Sequence, residues 1–313
     1  MGKLGASATT VLLLGAIFAH AATPPVLLEK LGDSVSIQIG GQIIGTFMVN
    51  DARIPRPHFA NLRALDGTPI TRTHPPDAVA DKGNDDHAEF HPGLWLAFGD
   101  IGGADVWRLK GTVYTSSLEA SGDTMSLKNE YRDATGKAVA WESAQYRLVP
   151  EAAGYFVLVR SEFTPVGDAM AFGDQEEMGL GIRLATGLSV KRGGHIANAL
   201  GGENEKGTWG KAAAWCRGYG RVGDGWAGAI VLAGPNNFRP SWFHSRDYGL
   251  VVANPFGRKA MTAPDDATAA PDSTVVTRGK PLVLDFGVYL HAGKELPDGE
   301  TVYRRFTGLL GTP

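Results

Sequence analysis

Apolar and polar residues alternate without interruption over Ser34-Val35-Ser36-Ile37-Gln38-Ile39, stop at Gly40-Gly41, and resume in Gln42-Ile43-Ile44-Gly45-Thr46-Phe47-Met48. Successive side chains of a strand point to opposite faces, so this pattern reads as a β-hairpin with one buried and one wetted face, closed by a two-glycine turn. Similar short runs recur at Leu109 to Thr115, Thr124 to Tyr131, Val139 to Leu148, Tyr155 to Phe163, Gly179 to Ala185, Ala227 to Leu232, Gly249 to Ala253 and Leu282 to His291. No long 3.6-residue periodicity competes with them, apart from a short helix expected around Gly299 to Leu309. With 42 glycines and 18 prolines as punctuation, the chain is expected to be all-β, an antiparallel β-sandwich with long functional loops. The stretch Thr262 to Ser273 reads as an exposed loop between late strands.

The N-terminus is a different kind of segment. Lys3 precedes the apolar run from Val11 to Phe18, and Ala19-His20-Ala21 follows with the small-x-small spacing that signal peptidase accepts. Residues 1–22 are therefore expected to be a signal peptide, and 23–313 a single sandwich domain. The apolar run falls short of the roughly 20 residues that span a bilayer, and no later run reaches that length without charges or glycines, so membrane insertion is not expected. Export to the periplasm or the extracellular space follows. Cys216, in Ala-Ala-Trp-Cys, is the sole cysteine and reads as a small buried hydrophobe, so the fold must rely on its apolar core. A net charge of -3, from 30 basic and 33 acidic residues, offers no footprint for nucleic acid. Neither a phosphate-cradling glycine loop nor a Gly-x-Ser-x-Gly elbow is present.

Chemistry-bearing residues concentrate in three places. The first runs from Thr71-Arg72-Thr73-His74-Pro75 through Asp85-Asp86-His87-Ala88-Glu89-Phe90-His91-Pro92-Gly93-Leu94-Trp95 to Gly99-Asp100 and Asp105-Val106-Trp107. The second is Gly207-Thr208-Trp209-Gly210-Lys211 through Trp215-Cys216. The third is Phe238-Arg239-Pro240-Ser241-Trp242-Phe243-His244-Ser245-Arg246-Asp247-Tyr248-Gly249, closing with Asn254-Pro255-Phe256-Gly257. Asp174, Glu176 and Glu177 stand ahead of the last two. Loops that combine indoles, imidazoles, forked donors and carboxylates suit a sugar, whose C–H faces stack on rings while its hydroxyls meet polar groups. The same residue types also build ordinary packing between loops.

His87 and His91 are four apart, but Pro92 and Gly93 oppose a helix, and an extended segment would hold their backbones about 13 Å apart. A shared divalent ion would need a turn, and the surrounding residues do not form a His-Glu-x-x-His motif. No cofactor is expected, with a divalent metal at His87 and His91 kept as an alternative.

In the same order, these clusters resemble a family of secreted bacterial proteins of unknown function often labelled "methane oxygenase PmoA". The matching positions are Asp86, His87, His91, Leu94, Trp95, Gly99, Asp100 and Trp107; Glu177, Gly181 and Arg183; Trp209, Gly210, Lys211 and Trp215; and Trp242, His244, Asp247, Tyr248, Asn254 and Phe256. The spacing departs between the histidines, and Pro92 stands where that family usually has a basic residue. The resemblance implies a β-sandwich of the galactose mutarotase-like kind and an occurrence among carbohydrate-degrading bacteria. It supplies no reaction, and a membrane oxygenase subunit would need transmembrane helices that this chain lacks.

Three functions compete. The leading one is an enzyme (a hydrolase, lyase or mutarotase-like protein) acting on a small saccharide, with His87, His91 and His244 transferring protons beside the carboxylates Glu177, Asp86 and Asp247. In it Lys211 and Arg239 clamp the ligand, Trp95, Trp215 and Trp242 stack on it, and the resemblance adds Asp100, Trp107, Tyr248 and Asn254 as contacts. The others are a metal-dependent, oxygenase-like enzyme with a His/His/carboxylate face, and a noncatalytic glycan-binding module.

Overall fold

The computed structural model describes residue 2, residues 24–266 and residues 268–311. Residue 2 apart, the expected signal peptide lies outside them. Two large antiparallel sheets dominate the described residues. The first, of nine strands, runs in spatial order Val26–Leu31, Ser34–Ile39, Gln42–Met48, His58–Ala60, Leu94–Phe98, Met178–Arg183, Leu250–Asn254, Ser241–Arg246 and Lys211–Ala213. The second, of eight, runs His195–Asn198, Trp215–Val222, Gly225–Ala233, Leu282–Gly293, Gly154–Pro165, Ala138–Glu151, Thr124–Arg132 and Thr112–Ser121. This is the expected all-β sandwich.

Local chemistry explains the strand ends. Gly40 and Gly41 both take positive φ, 61° and 83°, the pairing that a two-residue hairpin turn with native twist requires. In Ser34–Ile39 the alternation read from sequence becomes strictly alternating burial, with Val35, Ile37 and Ile39 inside. The inner faces meet through aromatic contacts such as Phe47 with Tyr146 and Phe98 with Phe163, ring centroids 5.1 and 5.4 Å apart. One continuous apolar cluster joins both sheets. Cys216 is part of it, and burial pushes its thiol up, out of reach of ionisation.

The helix expected near the C-terminus spans Gly299–Leu310, with the Asp298 side chain accepting from Thr301 N at 2.9 Å as its N-cap. Its buried Val302, Phe306 and Leu309 cover a second apolar cluster on the outer face of the eight-stranded sheet. Among the described residues no helix is long and apolar enough to cross a membrane.

The outer face of the nine-stranded sheet is the one that matters chemically. Register places His58 beside Trp95, Trp95 beside Gly181, Gly181 beside Val252, and Val252 beside His244. Paired positions share a face, so this is one row running across five strands. Arg183 and Arg246 flank Leu250 in a parallel row two residues along. Gly181 is required here, because a Cβ on it would lie 2.8 Å from the Trp95 ring and 3.3 Å from Trp107. The long loops of the first cluster fold back over these rows.

Candidate functional site

Three guanidiniums buried to within 1% exposure, Arg56, Arg72 and Arg183, fix the segment around residues 84–91. Arg72 donates to the carbonyls of Asn84 (2.7 Å), Asp86 (2.6 Å) and His91 (3.1 Å), and Arg56 to those of Phe90 (2.6 Å), Val106 (2.7 Å) and Trp107 (2.6 Å). Carbonyls that irregular backbone leaves unpaired thus find forked donors. Burial lowers both arginines, to about 10 for Arg72 and about 9 for Arg56, which leaves them charged at neutral pH.

The segment is neither helical throughout nor extended. His87 adopts φ of 52°, and His91 N donates to His87 O at 2.9 Å, closing a single turn. The extended alternative is thereby corrected, and the two imidazoles come together with ring centroids 5.0 Å apart and planes 20° from parallel. Beneath His91 lies Trp95, 5.2 Å away and 11° from parallel. Such nearly parallel planes do not direct their in-plane lone pairs to one ion, and among the described residues no group of three or more His, Cys, Asp or Glu is arranged to hold a metal.

Around this stack lies a cleft of about 260 Å³ lined by His87, Phe90, His91, Trp107, Arg108, Glu176, Glu177, His244, Arg246 and Tyr248. The first cluster, the acidic motif and the third cluster therefore meet. A larger hollow beside Arg192 is lined by neither imidazole nor carboxylate.

Each ionisable group in the cleft is held by a specific partner. Arg183 donates to Asp86 Oδ1 at 2.7 Å, and His87 Nδ1 donates to Asp86 Oδ2 at 2.5 Å. Burial works to raise the Asp86 carboxyl, but these two hydrogen bonds and the neighbouring charges outweigh it and hold the group at about 2. Glu176 accepts both Arg246 Nη2 contacts, at 3.0 and 3.3 Å, and Glu177 pairs with Arg108. Burial nevertheless raises Glu177, with Arg108 opposing and Glu176 adding to the effect.

The two buried imidazoles are locked in opposite tautomers. Arg183 Nη1 lies 3.3 Å from His91 Nδ1, and a guanidinium only donates, so Nδ1 accepts and the proton sits on Nε2. His244 Nδ1 lies 3.0 Å from the carbonyl of Glu176, which only accepts, so the proton sits on Nδ1 and Nε2 is a bare lone pair. That Nε2 is buried and has no protein partner. Burial holds His91 well below the ordinary imidazole range, aided by the charges of Arg183 and His87. It also lowers His244, to about 4. Both rings are neutral at pH 7, one offering a proton and the other an acceptor. Tyr248 stacks near His87 and His91, with the Arg183 guanidinium 4.2 Å from its ring centre, and burial lifts its hydroxyl to about 12.

The other sequence candidates lie elsewhere. Trp95 is 1% exposed and forms the floor under His91, and Trp215 is buried beneath the C-terminal helix, so neither presents a stacking face to a ligand. Lys211 is exposed on the sheet edge, Arg239 pairs with Asp272 at 2.8 Å, and Asp100 Oδ1 closes a turn to Gly103 N; none of the three lines the cleft. Trp242 shares the strand face of His244 but is also outside the lining. Asp247 accepts from Glu205 N and holds the short helix Asn204–Thr208. Asn254 is fully buried and donates to the carbonyls of Gln175 (2.8 Å) and Glu176 (3.2 Å), which positions the acidic motif without touching the cleft. The sequence reading gives no role to Phe90, Glu176 and Arg246 in the lining or to Arg72 beneath it, although all four stand in the segments it singles out, and it misses Arg108 in the lining and Arg56 beneath it altogether. Arg108 follows directly on Trp107, and Arg56 stands between two prolines, where no regular element can satisfy the surrounding carbonyls.

Fold and cleft together define an all-β sandwich protein that gathers imidazoles, carboxylates and guanidiniums on one sheet face. The chain belongs to the family of unknown function DUF6807, which it matches over residues 34–304. No curated protein matches it. Among solved structures it is similar to HI1317 at 9% identity, covering 86% of this chain and 99% of that one with a TM-score of 0.27. It is also similar to a nonspecific heme-binding cyclase of neoabyssomicin biosynthesis, at 13% identity, 70% and 75% coverage and a TM-score of 0.17. At these scores neither carries an argument about fold or function.

Proposed function

We propose that this chain is an exported, PmoA-like, carbohydrate-active enzyme that binds a single sugar unit in the cleft and moves a proton between two of its oxygens. The observation that carries this reading is the pair of neutral imidazoles with opposite, obligate tautomers in the wall of one small cleft, the His244 acceptor buried without a partner. His244 Nε2, closed off from solvent in the unliganded chain, is uncovered as the sugar enters and accepts the proton of a hemiacetal hydroxyl; the freed electron pair forms the carbonyl, and the bond from that carbon to the ring oxygen breaks. His91 Nε2 delivers its proton to the departing oxygen. Reclosure on the other carbonyl face returns both protons, so atoms balance and no redox partner is needed. This is mutarotase-like chemistry. The carboxylates favour it over a two-carboxylate hydrolysis, because Glu176 and Glu177 are each engaged by an arginine rather than free to attack or to activate water. Tyr248 and Trp107 offer ring faces, and His87 with Asp86 supplies a further polar contact at the mouth.

The test is a panel of aldoses, uronic acids and keto sugars, followed by calorimetry and by NMR exchange between anomers. His244→Asn keeps the donor to Glu176 O and deletes Nε2. Turnover is expected to fall about 10²- to 10⁴-fold, with affinity changed only a few-fold. A panel without binding, or an H244N variant with wild-type turnover, refutes the proposal; binding without turnover in the native protein leaves a glycan-binding module instead.

A further inference from the structure

A second hollow, of about 440 Å³, opens on the same sheet face on the other side of the 86–91 turn, lined by Thr46, Met48, Asp51, Arg53, His58, Ala60, Asn61, His74, Pro75, Ala88 and Glu89. The two spaces share a wall: Ala88 and Glu89 face this one, and His87, Phe90 and His91 face the cleft.

The decisive group is His58, which is 98% buried by its 2% exposure. Its Nδ1 lies 3.1 Å from the carbonyl of Arg56, which fixes the proton on Nδ1 and makes Nε2 an acceptor. No protein donor reaches that Nε2, and it is not sealed among the buried unpaired atoms, so it opens into the hollow. The nearby His74 ring stands edge-on at 5.8 Å, and its Nδ1 is buried without a partner. Burial keeps both rings neutral near pH 7, lowering His58 to about 4. Asp51 accepts the amides of Arg53 and Ile54 through Oδ1 alone, which leaves Oδ2 free, and Glu89 is exposed at the rim. A buried acceptor without a donor costs free energy unless a ligand or water supplies one.

We propose that this hollow is a second binding site, independent of the cleft, for a small neutral hydroxyl-rich molecule such as a single sugar unit or polyol. Its acceptors, His58 Nε2, Asp51 Oδ2, Glu89 and the Thr46 hydroxyl, outnumber its one charged donor, Arg53. Hydroxyls satisfy such a set, while Met48, Ala60, Pro75 and Ala88 supply apolar wall for C–H faces. The same acceptors do not form a metal cage. Because the wall is shared, a ligand here also braces the turn that carries His87 and His91.

Histidine-selective ¹⁵N NMR of the full chain separates the two sites residue by residue. Titration with D-glucose, D-galactose, D-xylose and glycerol is expected to shift the His58 Nε2 resonance saturably with at least one probe, and T46V and E89Q each to weaken that binding at least tenfold. Shifts confined to His91 and His244 overturn this inference while leaving the proposed function intact. Response of His58 to D-glucosamine hydrochloride alone overturns the neutral-ligand assignment. A His58 resonance that no probe moves overturns the site altogether.

Discussion

Replacing Arg183 by methionine removes the one side chain that ties the turn, the Asp–His pair and the His91 tautomer together. The guanidinium is fully buried and donates to Asn84 O at 3.1 Å, Asn84 Oδ1 at 2.9 Å and Asp86 Oδ1 at 2.7 Å, besides His91 Nδ1 at 3.3 Å. Hydrogen bonds to a charged group contribute about 1.5–3 kcal/mol each, without adding fully, and breaking a buried ion pair costs about 3–5 kcal/mol. Asp86 is 42% exposed and rehydrates once abandoned, and methionine fills much of the vacated volume, so the lower end applies: about 3 kcal/mol. That corresponds to a melting temperature lower by roughly 4–6 °C. The Asp86 carboxyl sits at about 2 in the folded chain, below its unfolded value, so its contribution is present above the unfolded value and is lost as pH falls toward 2. Solvent screening at that exposure holds this part to about 1 kcal/mol. Urea denaturation of both proteins between pH 7 and pH 2.5 should therefore show a gap that is full at pH 7 and narrows below pH 4. A variant within about 1 kcal/mol of the native protein at pH 7 would refute the account of the turn, and a gap constant down to pH 2.5 would refute the account of Asp86.

Three more outcomes follow from the same geometry. His58, His244 and His291 are each held near 4, below their unfolded values, so native stability should decline as pH falls from about 6.5 to about 4, read by chemical denaturation across that window. His291 is 1% exposed and both its ring nitrogens lack partners, so His291→Leu should stabilise by about 1–2 kcal/mol, more at pH 5 than at pH 8; destabilisation at both would count against it. Gly181→Ala drives a Cβ to 2.8 Å from Trp95 and should cost about 1–3 kcal/mol while shifting the His91 NMR resonance, because Trp95 is the floor of that ring; an unchanged His91 resonance would separate the floor from the site.

The sandwich was legible because its signal is local. Period-two alternation in Ser34–Ile39, Thr124–Arg132 and Ala138–Glu151 is the same quantity as the alternating burial seen in those strands, and the positive-φ glycines Gly40, Gly41, Gly122 and Gly136 mark the turns at their ends. The candidate site was legible only as composition. His87, Glu177 and His244 stand in distant segments, and their meeting depends on strand order, which places Leu94–Phe98, Met178–Arg183, Leu250–Asn254 and Ser241–Arg246 side by side. Residue type also misled in one direction: an indole just past a polar loop, such as Trp95 in the strand Leu94–Phe98, reads equally as ligand platform or floor, and burial alone decides.

The arginines beneath the turn show why the sequence signal was weakest where the site is most constrained. Apolar side chains of similar size commonly match or exceed the stability of a buried ionic group, so stability alone does not account for three buried guanidiniums. What they supply is direction. A methionine could fill the space of Arg72 but could not hold three carbonyls of an irregular turn at hydrogen-bonding distance. Only an obligate donor at Arg183 forces the His91 proton onto the nitrogen that faces the cleft. Preorganised geometry of this kind is what proton transfer needs, and it leaves no periodic trace in the chain, because each arginine answers to backbone atoms 12 to 99 residues away.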